Sequence, residues 1–180
     1  AKFDKIDAKT LNADTAADRE IITNSINAAL LELEQVRQWE KNPDRYSSGV
    51  TQSVYVIMSR KFAPPEERLR SVIEREKQMP KVFDAARVNL KNPPRIYTEI
   101  ALEQLPGLVS FFQNDVPSAF AEVKDEKLLA EFKQTNQAVI DALGSYQKFL
   151  KDELLPKSNG DFRIGADNYR KKLLYEEMVD

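Results

Sequence analysis

The side chains in this sequence that could do chemistry are almost all carboxylates, guanidinium groups and ammonium groups. The 180 residues include 29 Asp or Glu and 27 Lys or Arg, with no cysteine and no histidine. Without imidazole, these residues cannot assemble the usual zinc-peptidase ligands, a Ser-His-Asp relay or the ordinary general base of neutral pH. Without thiols there are no disulfides, thiolate metal sites or cysteine nucleophiles. Lack of cysteine suits cytoplasm and periplasm alike. A metal site made by this chain alone would be all-oxygen. Asp152, Glu153 and Asp161 are the nearest set, but they lack the spacing of a calcium loop. Glu66-Glu67 and Glu176-Glu177 fall at helix ends or on polar faces, where solvated use is expected. Gly160 and Gly165 do not make a phosphate loop, and no G-x-S-x-G elbow occurs. No catalytic, cofactor-binding or metal-binding residue is therefore assigned to this chain.

Partners are constrained in the same way. The formal net charge is −2, and the Lys and Arg residues are scattered. That leaves no basic stripe to follow a phosphate backbone, so nucleic acid is not an expected partner. The longest apolar run, Val54 to Met58, is far too short to cross a membrane.

The elements that position these side chains read as helices. From Asp125 to Leu155, apolar residues recur in steps of three and four at Leu128, Phe132, Val139, Tyr146, Leu150 and Leu154. A helix of that length must lie against other long helices. Gly144 within it marks either a close helix crossing or a tolerated weak point. Ile22, Ile26, Ala29, Leu33 and Val36 form the buried seam of a first long helix capped by Asp14 or Thr15, and Trp39 ends that face. Trp39 reads as a core-edge anchor, with ligand stacking as the alternative. Lys41 to Gly49 is expected to be a loop. Val50 to Phe62 fits a buried strand or a buried helix, and is read as helix because no partner strand is evident. Pro64-Pro65-Glu66-Glu67 starts a helix. Its stripe continues through Glu76 to Leu90, with a kink near Lys77–Met79 caused by Pro80. Glu76 is expected at the edge of that stripe, snorkelling or paired with a nearby Arg or Lys, with a buried acid as the alternative. Asn92-Pro93-Pro94 stops the chain. Ile96–Leu105 is a short helix broken at Pro106-Gly107, and Leu108–Val116 is another. Gln104 and Gln113 on these helices read as surface residues, with a cleft lining as the alternative. A last helix covers about Ala166 to Met178. The expected fold is all-α: a bundle of long antiparallel helices with proline kinks at Pro80 and Pro106. Residues 1–180 are read as a single helical domain.

Several segments resemble one family. They are Pro80, Ala85-Ala86-Arg87, Asn89-Leu90 and Pro93-Pro94, then Phe149-Leu150, Pro156, Gly160-Asp161-Phe162, Ile164-Gly165, Tyr169 and Leu173. In this order and spacing they resemble the N-terminal half of the bacterial domain-of-unknown-function 885 family, from about Trp39 onward. The resemblance implies a large, almost wholly helical protein similar to zinc peptidases of the carboxypeptidase type. It implies a metal motif, His-Glu-x-x-x-His or a close relative, in the C-terminal half, so zinc would be bound there and not here. It also implies that several members are exported lipoproteins, hence a periplasmic or lipid-anchored location. This sequence lacks the histidines, so no family metal or catalytic residue carries over to any position.

What carries over is a scaffold role. The chain is expected to be the N-terminal part of a larger protein, forming one wall of a channel for a peptide substrate and inactive alone. Its partner would be its own C-terminal half. Gly160, Asp161, Phe162, Arg163, Ile164 and Gly165 form the candidate loop that docks on that half. The bland reading of this loop is a turn in which Phe162 and Ile164 staple two helices. The competing function is a stand-alone helical module that binds a protein or peptide in an apolar groove around Phe111, Phe112 and Phe120.

Overall fold

The computed structural model describes residues 6–179. Among the described residues the regular structure is helical throughout, without a strand. The chain divides into two compact units: Trp39–Asp161, and Ala1–Gln38 with Phe162–Asp180.

The larger unit holds the core. Its helices are α2 (Gln38–Lys41, whose first residue falls outside the unit), α3 (Asp44–Ser59), α4 (Pro65–Glu76), α5 (Met79–Asn89), α6 (Arg95–Ser110), α7 (Val116–Ala119) and α8 (Glu126–Lys148). The long helix α8 is the spine, packed against α4, α5 and α6, while α3 lies against α6 and α4. Asp125 caps α8 by accepting the Leu128 N–H at 3.1 Å. Leu128, Phe132, Val139, Leu143 and Tyr146 are buried along one side, as the spacing requires. Beyond Lys148 the helix widens into a π-helical turn, Phe149–Leu154, and closes in a 3₁₀ turn, Leu155–Lys157. Added to Gly144, a Cβ would have nothing within 4 Å, so this glycine is a tolerated weak point and not a crossing.

Three expectations need correction here. Lys41–Gly49 is not a loop, because α3 begins at Asp44. Only Asn42 and Pro43 interrupt the chain, and the Asn42 side chain accepts the Asp44 N–H at 3.1 Å. The small polar residues persist in the helix because Ser48 and Thr51 hydroxyls donate back to the Asp44 and Ser47 carbonyls at 2.8 and 3.0 Å. Val50 to Ser59 is therefore helix, as read. Second, Pro106 does not break its helix, since α6 runs from Arg95 to Ser110 around it. Thr98, Ala101 and Leu105 hold the inner face, whereas Pro106 is exposed, so the lost backbone bond lies on the outer side. The irregularity comes later, as a π-helical turn at Phe111–Asp115. Third, Phe112 and Phe120 are fully buried, and Phe111 packs against the same core. The proposed apolar groove is an interior surface. Gln104 and Gln113 are exposed.

The bend expected near Pro80 is present. Helix α4 ends at Glu76, α5 starts at Met79, and Lys77 and Gln78 make the turn. Pro80 lies in the first turn of α5, where its missing N–H costs nothing.

The smaller unit contains α1 (Ala13–Leu30), a π-helical turn at Leu31–Val36, and α9 (Ala166–Glu177), which packs on both. The cap of α1 is Asn12, not Asp14 or Thr15: its side chain accepts the Thr15 N–H at 2.9 Å. Of the seam read from the sequence only Val36 is buried here. Ile22, Ile26 and Leu33 are exposed, while Leu31 and Val36 are buried. The wider turn shifts the apolar register after Leu30, and among the described residues the unit has only one other long helix to cover α1. Neither α1 nor α9 contains a fully buried residue among those described. The start of the chain, Ala1 to Lys5, lies outside the described residues.

Candidate functional site

The candidate loop starts from a tight junction in the larger unit. Asn92 follows the end of α5, Pro94 is the N-cap of α6, and the chain returns to this point after α8. The Asn159 N–H donates to the Asn92 side chain at 3.1 Å, and the Gly160 N–H donates to the Pro93 carbonyl at 3.1 Å. Beneath them the Thr98 and Ser158 hydroxyls share a buried hydrogen bond of 2.9 Å. At Gly160 an added Cβ would stand 2.2 Å from the Asn92 carbonyl oxygen, so only glycine fits. Two of the resembling segments, Pro93-Pro94 and Gly160, are thus one structural feature.

The rest of the loop is different. The compact units divide between Asp161 and Phe162, within the candidate loop itself. Phe162 is 59% exposed, with Arg163 over its ring at 5.9 Å. Ile164 is half-buried, and its carbonyl accepts the Asn168 side-chain N–H at 2.9 Å. Gly165 has φ +85°, a left-handed conformation that glycine supplies at the entry to α9.

A second feature was not found from the sequence. The larger unit carries an open cleft of about 800 Å³ bounded by α2, α3, α4 and α5. Trp39, Tyr46, Val50 and Met79 supply apolar walls, and Arg75 and Glu74 stand at its edge. Tyr46 is held at both ends of its hydroxyl. It donates to the Trp39 carbonyl at 2.5 Å and accepts the Asn89 side-chain N–H at 3.1 Å. Arg75 donates to the Ser53 carbonyl at 2.9 Å. Glu74 pairs with Lys77 at 2.6 Å, and Lys77 also pairs with Glu131 at 2.8 Å. Only Trp39 carried a hint in the sequence. Arg45, Tyr46 and Gly49 were hidden inside the stretch misread as a loop, and Ser71, Glu74 and Arg75 lie on the polar side of α4.

The third feature is a buried acid. Glu76 is fully buried at the end of α4, not at an edge with a basic partner as expected. Its Oε2 accepts the Thr135 hydroxyl of α8 at 2.5 Å, and its Oε1 has no partner among the described residues. Burial dominates and raises its pKa from 4.5 to about 7, partly offset by the Thr135 hydrogen bond. Two nearby basic groups are committed elsewhere. Buried Arg68 caps the end of α3, donating to the Met58 and Ala63 carbonyls at 3.1 and 3.2 Å. Lys77 lies at the surface with Glu74 and Glu131.

No group of three acids that could hold a metal ion occurs among the described residues, so Asp152, Glu153 and Asp161 are not brought together as a site. No helix among the described residues is long and apolar enough to cross a membrane.

No curated protein matches the sequence. Among solved structures, the chain is similar to a candidate lipoprotein of unknown function from Shewanella oneidensis. The two share 27% identity at a TM-score of 0.82. The match covers 97% of this chain and 32% of the other, so this chain spans about a third of that protein's length. The pattern of the family described as "Bacterial protein of unknown function (DUF885)" matches residues 1–180. The chain belongs to the DUF885 family.

Proposed function

We propose that these residues are a helical scaffold region of a larger, metallopeptidase-like bacterial protein. In this reading the larger unit forms a wall of a substrate channel, and the region is not catalytic alone. A peptide is the expected substrate, and any zinc would be held by residues C-terminal to these. A periplasmic or lipid-anchored location accords with the name given to the Shewanella oneidensis protein.

The observation that carries the reading is the pairing of full coverage on one side with one-third coverage on the other. The chemistry of the sequence agrees: without histidine or cysteine, these residues offer no ordinary zinc ligand set. The apolar surface agrees too. Ile21, Leu30 and Tyr169 are exposed on helices that bury no residue fully among those described, which is where further protein would pack. The segment Asp161 to Gly165 would carry the docking contact, with Phe162 presented outward.

Reading the coding DNA onward from the Asp180 codon tests this directly. A continuing frame that encodes a His-Glu-x-x-x-His motif supports the scaffold reading. A stop codon immediately after Asp180 overturns it.

A further inference from the structure

The cleft between α3 and α5 has no role in the scaffold reading. We propose that it binds a small amphipathic anion: a carboxylate carrying a flat apolar body. Its volume, about 800 Å³, suits a small organic molecule.

The walls argue for a flat body. Tyr46 needs no further hydrogen-bond partner, because its hydroxyl both donates to Trp39 and accepts from Asn89. Its ring is therefore fixed in place and can offer a face without leaving a polar atom unsatisfied. Val50 and Met79 are buried core residues that also line the cleft, so this wall is continuous with the rigid interior.

The edge argues for an anion. Arg75 is anchored by one bond to the Ser53 carbonyl and makes no ion pair with a described residue. The remainder of its fork can take a carboxylate. The acid at the same edge, Glu74, is already paired with Lys77. Arg75 thus brings to this edge a guanidinium without an ion pair among the described residues. A bare inorganic anion would leave the apolar walls unused, and a neutral hydrocarbon would leave Arg75 unused.

Trp39 is the only tryptophan and lines the cleft, so its fluorescence reports occupancy. The purified chain is titrated with 4-phenylbutyrate and with its uncharged analogue, 4-phenylbutyramide. The expected result is saturable, one-to-one binding of the acid, with the amide about tenfold weaker, as loss of one charge-assisted contact implies. Arg75→Met is expected to weaken the acid about tenfold and leave the amide unchanged. Arg70→Met, on the same helix but outside the cleft, leaves both unchanged. Circular dichroism of each variant confirms that it is folded. Equal affinity for acid and amide overturns the proposal. So does unchanged acid binding in Arg75→Met, or the absence of saturable binding up to the solubility limit of the acid.

Discussion

Gly160 touches Asn92 so closely that a methyl group at Gly160 would lie 2.2 Å from the Asn92 carbonyl oxygen. The obstacle is backbone, held by the Gly160 N–H to Pro93 carbonyl bond of 3.1 Å, so it cannot swing aside. Gly160→Ala should destabilise the protein by roughly 1–3 kcal/mol, the usual cost of overpacking a fixed site. Gly144 is the internal control, with open space where its Cβ would be. Gly144→Ala should stabilise by up to about 1 kcal/mol through helix propensity. Urea denaturation of both variants measures the opposite signs.

The buried Glu76 predicts an unusual pH dependence. Folded, its carboxyl keeps a proton until about pH 7; its ordinary pKa is 4.5. Between these values the folded state binds the extra proton, so stability falls as pH rises and levels off above about 7. The total loss is on the order of 3 kcal/mol. Glu76→Gln keeps a neutral side chain at the site and should abolish this slope. Denaturation midpoints from pH 4.5 to 8 measure it. A wild-type profile that rises with pH across this window, or an unchanged slope in the variant, contradicts the assignment.

Arg68 ties the end of α3 to the start of α4. Its guanidinium serves the Met58 and Ala63 carbonyls from a site only 5% exposed. Arg68→Met should leave those carbonyls without a donor and cost about 2–3 kcal/mol. Arg68→Lys should recover little of it, because a single ammonium cannot reproduce the fork. Thermal melts of the two variants test both statements.

Tyr146 crosses the core of the larger unit to donate to the Pro43 carbonyl at 2.8 Å. Burial drives its pKa upward, so it should not ionise while the protein is folded. Tyr146→Phe keeps the ring contact with Phe83 and loses only the hydrogen bond, at a cost of about 1–3 kcal/mol. In an alkaline absorbance titration, one tyrosine should titrate only with unfolding in the wild type and be absent from the variant's profile.

Much of this architecture was legible in the residues. The spacing of Leu128, Phe132, Val139 and Tyr146 marked α8, and Pro64-Pro65 with two acids marked the start of α4. Several misreadings share a cause: local signals were overruled by burial. Ser47, Ser48 and Gly49 look like a loop but are helical, with Ser47 and Val50 buried on the inner face. Pro106 looks like a breaker, but Leu105 beside it is locked in the core. Glu76 looked like an edge residue because its partner, Thr135, is 59 positions away. The contact between Asn92 and Gly160 was visible only as two separate glycine and proline signals. The cleft could not be read at all, since Trp39, Tyr46, Arg75 and Met79 meet only through packing of four helices.

The most direct measurement is peptide hydrolysis by the purified 180-residue chain, with and without added zinc, using a mixed set of quenched fluorescent peptides. The scaffold reading predicts no turnover above buffer in either condition. Turnover that follows the protein through unrelated purification steps and scales with its concentration would contradict that reading.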